Sequence, residues 1–141
     1  MDPDPGTGPR ELLEIPREEC LALLAEHRFG RLAVDVGDDV PLIRPVNYAF
    51  DSSSQSVVLR TGEGSKLHHL LRSARASFEI DGIDQDARTG WSVIVAGVAE
   101  EVVGDAEIAR LGGLAIEPWA AGGAARWVRI RAFTVTGRRI R

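Results

Sequence analysis

Ser56-Val57-Val58-Leu59-Arg60-Thr61-Gly62-Glu63-Gly64-Ser65-Lys66-Leu67 is the stretch on which the reading of this chain turns. Its first four residues are mostly β-branched or apolar and predict a strand. Gly62 and Gly64 break that strand, because glycine accepts backbone angles that other residues avoid. Ser65 stands where a helix N-cap belongs, and Leu67, Leu70 and Leu71 follow at i, i+3 and i+4, one apolar face of a short helix. A strand, a glycine turn and a helix start present free N–H groups and the positive end of a dipole, which favours an anion. Arg60, Thr61, Ser65 and Lys66 add cations and hydroxyls, making this a candidate phosphate site. The same residues also suit a ligand-free turn. The stretch is not a Walker A loop, since serine precedes lysine, and it lacks the third glycine of a dinucleotide fingerprint.

Around this stretch, composition sets bounds. The chain has 141 residues, 44% hydrophobic and 27% charged, which suits one domain over residues 11–141. Residues 1–10, rich in proline, glycine and aspartate, are expected to form a disordered tail. A net charge of −4 argues against general nucleic-acid binding. Cys20 is the only cysteine, which excludes an internal disulfide and a cysteine-based zinc site. Adjacent His68 and His69 face different directions on a helix, so no metal site is assigned. No apolar run reaches membrane-spanning length and no secretory leader is evident, so a cytoplasmic protein is expected.

Upstream, Pro16 at the first helical position and Glu18 and Glu19 behind it predict a helix with Cys20, Leu21 and Leu24 buried. Gly30 is expected to end it. Alternation then predicts a strand over 31–36, a hairpin turn at Gly37-Asp38-Asp39 and a strand over 41–50 with Val46, Tyr48 and Phe50 on one face. Pro45 removes a ladder donor, so an edge or a bulge is expected there. Downstream, strands are expected over 76–81, 91–103 and 127–136, with a polar loop over 81–90, a helix over 104–114 and a loop containing Trp119. Gly97 marks a bulge or close backbone approach, and Gly137 a turn into a basic end. Consecutive hairpins with few helices predict a mainly β antiparallel barrel with peripheral helices.

With these elements in order, the sequence resembles the pyridoxamine 5′-phosphate oxidase-like, FMN-binding split-barrel family. Phe29-Gly30-Arg31-Leu32-Ala33-Val34, Pro45-Val46-Asn47-Tyr48, the stretch from Arg60 to Lys66, Phe78-Glu79-Ile80-Asp81 and Gly90 to Gly97 are similar to its successive strands. The resemblance spans about residues 15–141. It implies a homodimeric split barrel holding FMN in a groove between subunits, or in some relatives a deazaflavin coenzyme. It also implies that Thr61, Ser65 and Lys66 take the flavin phosphate with Arg44 or Arg60 assisting. Val46 and Asn47 would run along the ring system, and Trp91 and Ser92 would border it from an adjoining strand or the partner subunit. The implied activity is an FMN-dependent oxidoreductase acting on a small molecule. The alternatives are a deazaflavin-dependent reductase and a flavin-binding or sensing dimer without turnover. The catalytic residues are not specified by the sequence. The C-terminal arginine–histidine segment that grips pyridoxamine phosphate in true oxidases is replaced by Trp127-Val128-Arg129-Ile130-Arg131. The expected dimer surface includes Val93 and Val95.

Overall fold

A computed structural model describes residues 8–37, 39–62, 75–116 and 125–141. The elements are β1 (Leu12–Glu14), α1 (Arg17–Glu26), β2 (Phe29–Val34), β3 (Leu42–Asn47), β4 (Ala49–Asp51), β5 (Ser56–Gly62), β6 (Arg75–Asp84), β7 (Thr89–Glu101), α2 (Asp105–Gly112), β8 (Ala125–Arg131) and β9 (Thr134–Ile140). All strand pairs are antiparallel. One face runs β3-β2-β6-β7-β9-β1, the other β4-β5-β8 and the end of β7. The architecture is the expected split barrel. Residues 1–7, Ser65, Lys66, His68, His69 and Trp119 lie outside the described residues.

The barrel is wound by β7. Its residues 89–98 pair with β6, while 99–101 pair with β8. At the bend, Ala96 opposes Thr134 and Ala99 opposes Ile130, so Gly97 and Val98 face three residues, Arg131 to Phe133. That extra residue is a β-bulge, and it bends and twists the ladder from one face into the other. A side chain at Gly97 would sit 3.3 Å from the Arg131 carbonyl, which is the close approach its glycine predicted.

The bulge explains one departure from the sequence reading. The strand expected over 127–136 is two strands. Val128, Ile130 and Ala132 are buried, then the inward set shifts to odd positions, Val135 and Gly137, around the exposed Phe133. Gly137 is therefore not a turn. It lies in β9, where an added side chain would come within 2.5 Å of the Cys20 sulfur. Likewise, Gly30 does not end α1, which stops at Glu26. It lies in β2 under the Phe78 ring, with no room for a Cβ. Pro16 precedes α1 as its N-cap rather than opening its first turn. The loop expected over 81–90 is mostly strand, with Asp84 paired to Thr89. β1 has no counterpart in the sequence reading.

The core joins Leu32, Val34, Tyr48, Leu59, Phe78, Ile80, Val93, Val95 and Ile130 inside the barrel with Cys20 and Leu24 of α1 across its end. Val93 and Val95 are fully buried there, so they cannot form the dimer surface expected of them. The large apolar residues of β7 that face outward are Ile94 and Val98, 40% and 53% exposed. A second cluster, Val58, Val102, Leu111 and Trp127, seats α2 on the outer side of β5 and β8. No helix among the described residues is long and apolar enough to cross a membrane.

Candidate functional site

The split arises where one hairpin comes apart. β4 and β5 pair from Asp51↔Ser56 to Ala49↔Val58 and no further. Continued in the same register, Asn47 would oppose Arg60 and Val46 would oppose Thr61. Instead the chain bends at Tyr48, and residues 42–47 pair with β2 on their other side. Residues 59–62 keep only β8 as a described partner. Two strand edges thus diverge with backbone N–H and C=O groups that no described strand satisfies, and such groups call for a ligand, a side chain or water. Pro45 lies on one of these edges, as its missing donor predicts.

Tyr48 fixes the point of divergence. Its side chain is buried, stacks edge-on against Phe78 at 4.7 Å and donates its hydroxyl hydrogen bond to the Leu24 carbonyl at 2.6 Å. Burial pushes the phenol well above its usual range, so it acts as an anchor and not as a titrating acid near neutrality.

Five of the residues proposed from sequence flank this divergence, with alternating directions. Val46 packs against the barrel core, Arg44 shares its face of β3, and Thr61 is buried on β5. Asn47 and Arg60 take the opposite faces of their strands. Arg44 is exposed and donates to the Ile43 carbonyl at 3.0 Å. The guanidinium carbon of Arg60 lies over the ring of Trp127, its cross-strand partner, 5.0 Å from the ring centroid.

Trp91 and Ser92 lie elsewhere. Ser92 shares the outer face with Asn47, but β2 and β6 intervene, which at strand spacing is about 14 Å. No adjoining strand of the same copy therefore brings Ser92 to the divergence. Trp91 points inward, covering Gly82 and meeting His27 at 4.9 Å between ring centroids.

A cluster that the sequence reading passed over lies beside Ser92. Glu79 and Asp81 point outward from β6 and share Arg31, at 3.6 and 3.3 Å. Glu79 Oε1 is buried without a hydrogen-bond partner. Burial and then the hydrogen bond and charge of Asp81 push the Glu79 carboxyl up to about 7. The pair borders a cavity of about 390 Å³ that also touches Trp91, Ser92 and Arg138. The alternation Phe78-Glu79-Ile80-Asp81 carried the signal, with apolar residues inward and carboxyls outward.

These features meet in a known family. The sequence model of the pyridoxamine 5′-phosphate oxidase family matches residues 16–139. The chain belongs to that family. Among proteins of this family fold, its structure is similar to that of the FAD binding protein from Mycobacterium smegmatis. That pair has a TM-score of 0.80 and 35% identity, covering 92% of this chain and 98% of the other. It is similar also to a conserved protein of unknown function from Corynebacterium diphtheriae, with a TM-score of 0.77, 30% identity and the same coverages. An uncharacterized protein of Mycobacterium tuberculosis is 36% identical over 136 residues, 93% of this chain and 87% of that protein. In the C-terminal segment, Arg129 and Arg131 both bond Glu100, at 2.7 and 2.9 Å, and Arg129 also reaches Glu107 at 3.1 Å.

Proposed function

We propose that this family member binds a flavin nucleotide where β3 and β5 diverge and uses it as an oxidoreductase on a small molecule. The observation that carries the reading is the divergence of β3 from β5, with Val46, Asn47, Arg60 and Thr61 on the two strands that flank it. A flat heteroaromatic ring with polar edges matches such a slot. Its backbone groups serve the ring's acceptors and donors, while Arg44, Thr61 and the Ser65-Lys66 stretch suit a phosphate. The FAD-binding relative from M. smegmatis favours a flavin over a deazaflavin coenzyme.

When bound, the flavin supplies the hydride chemistry. This chain's part is to hold the ring against the β3 edge, fix the phosphate end, and keep water out with the apolar wall around Val46. The substrate is not pyridoxamine phosphate, because Arg129 and Arg131 are already committed to Glu100 and Glu107. One copy does not bring Ser92 to the slot, and the working unit we propose is a homodimer whose second copy supplies it.

The test is the absorption spectrum of purified protein, before and after denaturation and after incubation with FMN and FAD. Flavin bands that change on denaturation support the reading. A colourless protein that takes up neither nucleotide would end it. Turnover with a reduced nicotinamide and a redox dye then separates an enzyme from a carrier.

A further inference from the structure

The outer face of the sheet carries a charged row that the flavin slot does not use, and strand register sets it. Asp81 on β6 opposes Ser92 on β7, and Ser92 opposes Arg138 on β9. Directly opposed residues point to the same face of a sheet. A carboxylate, a hydroxyl and a guanidinium therefore lie in line across three strands. Asp81 and Arg138 stand two strand spacings apart, about 10 Å. They do not pair with each other. Asp81 pairs with Arg31 at 3.3 Å. Arg138 is exposed and makes no ion pair with a described residue, although Glu14 opposes it on β1.

The next row along the same face is apolar. Ile83, Gly90, Ile140 and Leu12 are successive cross-strand neighbours. Gly90 has no side chain, so this row has a gap between Ile83 and Ile140. An added Cβ at Gly90 would meet the Ile83 side chain at 3.5 Å. The gap and the charged row together line the cavity of about 390 Å³ beside Ser92, a volume in the range of small-ligand sites. Ile83 and Leu12 are 70% and 57% exposed on its wall. Charge around the cavity is sorted by strand. Glu79, Asp81 and Asp84 come from β6, while Arg138 comes from β9 and Arg88 from the turn before β7. Arg31 offsets part of the β6 charge. A simple cation would meet Arg138, and a simple anion would meet the β6 carboxyls. A molecule carrying both charges finds an opposite charge at each end.

We infer that this hollow binds a zwitterion with an apolar body, of the class of the apolar α-amino acids. The ammonium group lies against Asp81, the carboxylate against Arg138, and the apolar body over Gly90 between Ile83 and Ile140. Binding stands on one copy of the chain and needs no flavin. The role of the ligand rests on the flavin and dimer reading. The copy that supplies Ser92 to the slot brings the hollow with it, so the zwitterion is the small molecule held beside the flavin.

The experiment titrates L-phenylalanine, phenethylamine and 3-phenylpropionate into wild type, Asp81→Asn and Arg138→Gln by calorimetry, with melting curves to verify folding. Phenethylamine lacks the carboxylate, and 3-phenylpropionate lacks the ammonium. Wild type should bind L-phenylalanine at least about tenfold more tightly than either, as one charge-assisted hydrogen bond implies. Asp81→Asn should erase the preference over 3-phenylpropionate and keep the preference over phenethylamine. Arg138→Gln should do the reverse. Arg138 is exposed, so its variant keeps the test decisive if Asp81→Asn lowers stability. No binding of L-phenylalanine to wild type at millimolar concentration would overturn the inference, and so would equal affinities for the three compounds. Equal losses of all three in both folded variants would overturn it too, since general damage has no charge preference. Added to flavin-loaded protein, L-phenylalanine should also shift the flavin absorption. Binding without that shift would refute the role beside the flavin. A protein that takes up no flavin would refute the flavin reading, while the titrations still decide the hollow.

Discussion

Arg110 grips both oxygens of Asp51, Nη1 to Oδ1 at 3.0 Å and Nη2 to Oδ2 at 2.7 Å. The pair ties α2 to β4, the short strand that closes the barrel beside the slot. Asp51 is 3% exposed and Arg110 is 40% exposed. The guanidinium holds the Asp51 carboxyl well below the usual carboxylate range, against the burial that would raise it. A depressed carboxyl contributes stability above its unfolded pKa, near 4, and loses it as pH falls through the folded value. Arg110→Ala should therefore lower stability at pH 7, because it leaves the buried Asp51 carboxylate without its cation. The loss should shrink below about pH 4. Urea denaturation at both pH values checks this, and an unchanged midpoint at pH 7 would refute it.

Glu79 has the opposite sign. Its folded value of about 7 lies above the ordinary 4.5, so the folded state holds the proton more tightly. That contribution is complete below the ordinary value and disappears as pH rises through 7. Glu79→Gln cannot ionise. At pH 8 it should be more stable than wild type by about 1 kcal/mol, a figure discounted for partial solvation, and at pH 4 it should match wild type. Melting curves at the two pH values decide it, and equal differences at both would show that Glu79 is not the titrating group.

Gly82 is the only residue type that Trp91 tolerates opposite it. An added Cβ would lie 2.5 Å from the indole nitrogen and 2.9 Å from its ring. Gly82→Ala should displace Trp91 from His27 at a cost of about 1–3 kcal/mol. A shifted tryptophan emission with a lower melting temperature is expected. Unchanged emission and stability would mean that the strands part easily at this point.

Lys66, the chain's only lysine, is the sequence's own candidate for the flavin phosphate. A charge-assisted hydrogen bond is worth roughly 1.5–3 kcal/mol. Lys66→Ala should weaken FMN about ten- to a hundredfold and leave riboflavin, which lacks the phosphate, nearly unchanged. Equal losses for both ligands would reduce the stretch to a turn.

Self-association is tested on the residues that the barrel turns outward. Ile94→Asp and Val98→Asp should convert a dimer into a monomer in sedimentation without lowering secondary structure, since neither side chain belongs to the core. A wild-type monomer at micromolar concentration would remove the dimer from the proposal.

Much of the barrel was legible because period-two alternation is a local signal. Phe78 and Ile80 face inward as read, and Leu32 and Val34 share a face as read, whereas the alternation at Val93 and Val95 was right in period but assigned to the wrong surface. What local alternation cannot carry is a change of parity, so Phe133, apolar but exposed, hid the bulge between β8 and β9. Nor can it distinguish a glycine that ends an element from one that lets another ring pass, which is why Gly30 and Gly137 were misplaced. At the site, the legible part was sequence-contiguous: Val46 with Asn47, and Arg60 with Thr61. The placement of Arg60 over Trp127 and the carboxyl pair facing Arg31 depend on register between distant strands, and no local pattern records register.

A single backbone position carries the chain from β3, committed to β2, into β4, committed to β5. That position is Tyr48, and its hydroxyl is moored to the last turn of α1. The helix is thereby a gauge for the aperture. Sliding α1 along the barrel mouth would widen or narrow the slot while every strand pairing stayed intact. Substitutions in the Cys20–Leu24 footing, remote from any ligand atom, would thus retune which ring systems are admitted.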